Sequence, residues 1–288
     1  MKILVTGANG QLGKELQALQ ANYPQLQFHF FTKSELDIAD FSLVEASFEQ
    51  VQPNYCINCA AYTAVDKAET EKETAFLINQ TGAKNLALAS KLRGAKFIHI
   101  STDYVFDGNG KEPFKEDHPV NPQNIYGASK LKGEEETLAV NPDSIIIRTA
   151  WVYSEFGNNF VKTMLRLMQS REEIGVVDDQ QGSPTYAADL AKAILFIINS
   201  KKWVPGIYHY SNEGVITWFD FAKAIQEYIQ SGCRVNAIPT SAYPTPAKRP
   251  AYSVLDKEKI KATFNVAIPH WQESLHLCLN RLKESGAW

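Results

Sequence analysis

Three glycines, at positions 7, 10 and 13, stand between a short apolar run and an amphipathic helical pattern, and few local arrangements constrain a fold so tightly. The run Lys2-Ile3-Leu4-Val5-Thr6 reads as a buried strand, while residues 11–21 carry Leu12, Leu16 and Leu19 at helical spacing. A strand turning directly into a helix needs Gly7 for the tight turn. It uses Gly10 to let the backbone approach a pyrophosphate, and Gly13 to let the helix pack closely on the sheet. The helix start then offers free N–H groups and the positive end of its dipole to the anion. The chain is therefore expected to bind a dinucleotide.

The rest of the first half repeats the same alternation. Strands are expected at residues 2–6, 27–31, 55–58, 96–100 and 144–147, with a long helix over 75–93 carrying Phe76, Leu77, Leu86, Leu88 and Leu92. Short apolar runs separated by helices predict an α/β fold, a doubly wound parallel sheet of Rossmann type. Residues 1–153 form the dinucleotide-binding domain in this reading. Beyond Tyr153 the pattern loosens and prolines punctuate shorter elements, so residues 154–288 are expected to form mainly a smaller substrate-binding lobe, with some segments returning to the first domain. Two helices stand out there, one over 187–198 and one entered through Thr217 as N-cap, with Phe221, Ala222, Ile225 and Tyr228 as its apolar stripe.

Charge and cysteine usage exclude several classes. A net charge of −3 gives no general attraction to nucleic acid or an anionic membrane, so an anionic ligand must be held by local groups. No apolar stretch is long enough to span a bilayer, and the N-terminal apolar run is too short for a signal-peptide core; a cytoplasmic protein is expected. Cys56 and Cys59 match the spacing of redox and zinc sites. In a strand, however, residues three apart point to opposite faces, and no second pair completes a zinc set. They are read as structural.

Tyr126-Gly127-Ala128-Ser129-Lys130 places a phenol and an ammonium on one helix face. A phenol of ordinary pKa near ~10 is a poor acid-base group at neutral pH. A neighbouring ammonium is expected to lower it and make a proton donor that can reload. Upstream, Ser101 and Thr102 follow a strand end, the edge where open α/β sheets place ligands, and Thr102 is placed to hydrogen-bond a substrate carbonyl. Tyr126, Lys130 and Thr102 are the expected catalytic set, with Lys130 also holding the nicotinamide ribose.

The second strand ends in Phe31-Thr32-Lys33-Ser34, with no acid before Glu35 to meet the ribose hydroxyls of NAD. Lys33 and Ser34 suit a 2′-phosphate instead, so NADPH is the expected cofactor, with NADH left open. Asp37 and Ile38 are placed to bracket the adenine. Lys248 and Arg249, in the proline-held segment 243–250, have the chemistry to meet a diphosphate; the alternative is a solvated basic turn.

On these motifs the sequence resembles the extended short-chain dehydrogenases, and within them the dTDP-4-dehydrorhamnose reductases. The resemblance runs through most of the chain. It rests on residues 7–13, Asn58-Cys59-Ala60-Ala61-Tyr62-Thr63 with 64–69, 101–106, 126–130, Arg148-Thr149-Ala150-Trp151-Val152-Tyr153, 157–160, 179–185 and 241–250. It implies hydride transfer to the C4 ketone of dTDP-4-dehydro-β-L-rhamnose, a nucleotide-sugar substrate, with Tyr126 protonating the alkoxide. It implies cofactor contacts at Gly10, Gln11, Leu12, Asp37, Ile38, Ala61, Tyr62 and Thr63, and substrate contacts at Thr102, Asp103, Trp151 and Arg249.

Some members of the family dimerise around magnesium. Glu15 matches one ligand of that site, Asp189 is a shortened Glu at another, and no acid is placed near the C-terminus, so no metal site is expected and a homodimer is left open. A surface Glu and a helix-start Asp are the readings without metal. Two alternatives to the reductase remain at this point: a reductase or epimerase of another nucleotide sugar, and a cofactor-binding regulatory subunit like the methionine adenosyltransferase β subunits, which resemble the same family.

Overall fold

The computed structural model describes residues 1–286. Its centre is a six-stranded parallel sheet built from β1 (Lys2–Thr6), β2 (Gln27–Phe31), β3 (Tyr55–Asn58), β4 (Lys96–Thr102), β5 (Ile145–Thr149) and a last strand, Gly206–Tyr210. The spatial order is Gly206–Tyr210, β5, β4, β3, β1, β2, with every neighbouring pair parallel. The order reverses between β1 and β3, and such a switch point opens a crevice at the carboxyl ends of the strands.

Both faces of the sheet are covered. Ile3, Val5, Ile57, Ile98, Ile145 and Ile147 pack on one side against the helices Gln11–Leu19 and Ala187–Asn199. Leu4, Cys56 and Phe97 pack on the other against Phe41–Val51 and Ala83–Leu92. Burial on two faces is why these strands read as unbroken apolar runs rather than alternating ones. Cys56 and Cys59 are free and meet different core layers, Cys56 one and Cys59 the other.

A second core lies beyond Tyr153, where the helices Phe160–Ser170, Trp218–Ile229 and Trp271–Glu284 close around Tyr153, Phe221 and Leu275. Thr217 caps the middle helix as expected, in a reciprocal capping box with Asp220. Among the described residues no helix is long and apolar enough to cross a membrane.

Four elements differ from the sequence expectation. β4 and β5 each run two residues further, to Thr102 and Thr149, because pairing with neighbours carries them past the apolar run. The long helix over 75–93 is instead Lys72–Phe76, a π-helical segment Leu77–Gly82, and Ala83–Leu92. The wide segment brings the Asn79 carbonyl onto the helix Ile125–Val140, so closely that a Cβ on Gly133 would lie 2.1 Å from it. The sixth strand, Gly206–Tyr210, lies outside the five expected, although Ile207, Tyr208 and Tyr210 after Pro205 make a short strand-favouring run; its place in the sheet is fixed by its register against β5.

Candidate active site

The glycine turn is shaped by its surroundings. Gly7 adopts φ +69°, and a Cβ there would lie 2.6 Å from the backbone nitrogen of Ala60. A Cβ on Gly13 would lie 2.4 Å from the Gly7 carbonyl, so the helix can sit this close only with glycine at that position. From this turn a cavity of about 520 Å³ runs along the carboxyl ends of the strands. Gly7, Gly10, Gln11, Leu12, Asp37, Ile38, Ala61, Thr63, Tyr126 and Lys130 line it, as does Lys33 at the end that Asp37 and Ile38 define. One continuous cleft with a glycine cradle at its start and a phenol at its wall fits an extended dinucleotide.

Gly13 does not line the cleft and acts by packing alone. Gly13→Ala is expected to push the helix Gln11–Leu19 off the turn, at a cost of ~1–3 kcal/mol for overpacking. A loss of about tenfold or more in dinucleotide affinity should follow. Titration of nucleotide binding checks this, and unchanged affinity in a folded variant would count against the packing argument.

The Tyr126–Lys130 helix is fixed at its start. The Asn124 side chain accepts from the Gly127 amide at 2.8 Å, and a Glu69 carboxylate oxygen accepts from the Ile125 amide at 2.9 Å. A Cβ on Gly127 would lie 2.2 Å from the Tyr104 carbonyl, which ties the helix to the end of β4. The Tyr126 ring stands edge-on to Tyr104 with centroids 5.6 Å apart.

Electrostatics at this pair depart from the expectation. Burial pushes the Tyr126 phenol up to about 12; the Thr102 hydroxyl, close enough to hydrogen-bond it, opposes that shift, and Asp103 adds to it. The Lys130 ammonium does not lower the phenol here, because its Nζ is turned away to donate to the Ile100 carbonyl at 2.6 Å. Burial brings Lys130 itself down to about 8, with Glu134 and Cys59 opposing.

The residues expected on the substrate side occupy the neighbouring edge. Thr102 is buried at the end of β4, donates to Asp103 Oδ1 at 2.9 Å and accepts from the Tyr104 amide at 3.2 Å. Asp103 is buried, and its carboxyl is raised to about 6, chiefly by desolvation. Trp151, at φ +48°, stacks on Trp218 with centroids 3.6 Å apart, so one indole face is already taken. Arg249 faces Tyr104 and donates to Asp66 at 2.7 Å, making it an anchored side chain rather than a solvated one. Tyr62 lies outside the cleft lining, with its hydroxyl turned to Glu71.

Glu15, expected at the surface, is fully buried. It accepts from Ser154 at 2.7 Å and lies beside Glu155 and Arg281; burial raises its carboxyl to about 8. Asp189 accepts from Lys192, Asn212 and Ser274. Among the described residues no group of three or more histidine, cysteine, aspartate or glutamate side chains is arranged to hold a metal ion.

The structure adds polar residues that were not singled out from the sequence. Arg148 on β5 and Glu134 on the tyrosine helix form a buried two-pronged ion pair, and His99 on β4 reaches both Lys130 and Asn58. Arg148 and His99 had a signal, each being a polar residue in an otherwise apolar strand, where buried polar groups require partners; Glu134, the first of three consecutive glutamates, had none.

A doubly wound parallel sheet whose switch-point cleft begins at a glycine turn and ends at a Tyr–Lys helix defines a short-chain dehydrogenase/reductase. The chain belongs to the family described as RmlD substrate binding domain, whose model matches residues 1–284. It is 46% identical to the spore coat polysaccharide biosynthesis protein SpsK of Bacillus subtilis over 95% of each chain. It is 43% identical to the dTDP-4-dehydrorhamnose reductase of Aggregatibacter actinomycetemcomitans, over 95% of this chain and 97% of that one. The solved dTDP-4-dehydrorhamnose reductase of Bacillus anthracis in complex with NADP superposes with a TM-score of 0.93 at 44% identity, covering 97% of this chain and 99% of that chain.

Proposed function

We propose that this chain reduces the C4 ketone of dTDP-4-dehydro-β-L-rhamnose to dTDP-L-rhamnose, with NADPH as the preferred reductant. The observation that carries the reading is the placement of the Tyr126 phenol, beside the Thr102 hydroxyl, on the wall of the same cleft that begins at the glycine turn. The names of the full-length relatives supply the substrate, and the NADP-bound relative supports the phosphorylated cofactor.

In this reading Gly7, Gly10, Gln11 and Leu12 hold the pyrophosphate, Asp37 and Ile38 bracket the adenine, Ala61 and Thr63 flank the path between, and Lys130 holds the ribose. The bound reduced nicotinamide supplies the hydride. Thr102 donates to the ketone oxygen and Tyr126 delivers the proton as that oxygen becomes an alkoxide. A phenol held near 12 stays protonated at neutral pH, which suits a donor. Asp103 and Trp151 contact the sugar, and Arg249, swinging from Asp66, meets the diphosphate. Residues 154–288 supply most of the substrate lobe.

Incubation with the keto sugar and NADPH should consume nicotinamide absorbance in step with formation of dTDP-L-rhamnose. No turnover with either NADPH or NADH sinks the reading. Conversion without net cofactor use would identify an epimerase. Lys33→Ala is expected to raise the KM for NADPH about tenfold while leaving NADH little changed, since it removes one partner of the 2′-phosphate. Equal effects on both cofactors would remove Lys33 from that role.

A further inference from the structure

Thr6, Asn58 and His99 stand side by side in register across β1, β3 and β4, and their side chains form a buried polar row leading to Lys130. Each hydrogen bond in the row has a defined direction. The Ala60 backbone N–H can only donate, and it does so to Asn58 Oδ1 at 3.1 Å; the Thr6 hydroxyl also donates there, at 2.7 Å. The Asn58 amide nitrogen therefore faces His99 Nδ1, at 3.0 Å, and that nitrogen must accept. A wholly buried imidazole beside a lysine is held well below its ordinary pKa and is neutral, so its single proton is on Nε2. Nε2 faces Lys130 Nζ at 3.4 Å.

A donor aimed at an ammonium has nothing to bond to, whereas an amine offers a lone pair. We propose that His99, locked by Asn58 in the tautomer that donates from Nε2, is a positioning residue that holds Lys130 near the balance between amine and ammonium, so that the lysine can take up and release a proton at working pH. The other titratable groups acting on Lys130 are Glu134 on its own helix and Cys59 just past β3. Glu134 favours the charged form, and the Ile100 carbonyl accepts from Nζ in either state. Burial is the main influence toward the amine, and His99 is the group on β4 whose hydrogen-bonding direction adds to it. The role of this balance in turnover rests on reading Tyr126 and Lys130 as the catalytic pair; the charge state itself does not.

The experiment is nuclear magnetic resonance on the whole protein, with 15N-labelled histidine and 13Cε-labelled lysine, over a pH series. His99 is assigned by its loss in His99→Gln and Lys130 by its loss in Lys130→Met. The expected result is an unprotonated Nδ1 and a protonated Nε2 on His99, with Lys130 titrating well below an ordinary lysine. A proton on Nδ1, or an ordinary lysine titration, overturns the proposal whatever the activity. Asn58→Asp is the sharper variant, because a carboxylate makes His99 donate from Nδ1 and turns the Nε2 lone pair toward Lys130. The Lys130 titration should then move up by about one pH unit or more with His99 intact, and by clearly less when Asn58→Asp is combined with His99→Gln, where only the attraction of the new carboxylate acts. The basic limb of kcat/KM should move with it. A purely structural role for His99 predicts an equal movement with and without His99, and equal movements, or an unmoved titration in a folded Asn58→Asp protein, overturn the proposal. If the enzyme proves inactive on the keto sugar, the resonance result still stands and only the substrate reading fails.

Discussion

Tyr126→Phe is expected to lower kcat by about 10²–10⁴-fold, the usual worth of a positioned proton donor. NADPH should still bind with nearly its original affinity. The substitution removes one hydroxyl and keeps the ring, whose edge-on packing against Tyr104 survives. The cleft loses only the atom that would deliver the proton, because the glycine turn and Lys130 hold their positions through other contacts. Single-turnover measurements with the keto sugar, paired with nucleotide titration, separate the two effects. A kcat within a few-fold of the original would remove Tyr126 from the proton-donor role. Lost nucleotide affinity would instead assign it to binding.

Glu134→Ala is expected to cost about 3–5 kcal/mol of folding stability, the range for leaving a buried charge without its partner. Arg148 donates from Nε to Glu134 Oε1 at 2.9 Å and from Nη2 to Oε2 at 2.7 Å, with both side chains only 3% exposed, and Ser101 donates to the same carboxylate. The Arg148 guanidinium also lies over the Phe106 ring, 5.1 Å from its centroid, so it has no path to water once Glu134 is gone. Replacing both charges, as Glu134→Leu with Arg148→Met, should recover most of the loss, because the desolvation cost of both ions disappears with them. Urea unfolding of the single and double variants checks the cycle. A single-variant loss below about 1 kcal/mol would mean the pair is solvated like a surface bridge.

The Tyr126–Lys130 spacing is local: four residues along a helix bring two side chains to one face whatever surrounds them, so the pair is legible from sequence. The glycine turn is legible for the same reason, since its constraints arise within a strand, a turn and a helix contiguous in the chain. The Thr217 cap and the apolar stripe after it are local as well. By contrast, the strand Gly206–Tyr210 is defined by pairing with β5, more than fifty residues earlier, and the π-helical break at Leu77–Gly82 by contact with a helix some fifty residues later. Neither partner is adjacent in sequence, so the π-helical break shows in no local pattern, and the strand-favouring run at 207–210 does not reveal its place beside β5.

Charge states followed the same division. Sequence spacing placed an ammonium beside a phenol and predicted a lowered phenol pKa; burial instead raises Tyr126, and Lys130 turns to the Ile100 carbonyl and His99. Glu15, on a helix face that allowed a surface position, is enclosed by Ser154, Glu155 and Arg281, which come from far along the chain. By itself the sequence determined the period of each main helix and strand, the phosphate-binding turn and the Tyr–Lys helix, because these depend on neighbours within a few residues. The tertiary structure alone decided which polar groups are buried together and which of them carry a proton, because desolvation and hydrogen-bond direction depend on atoms that folding brings in from distant segments.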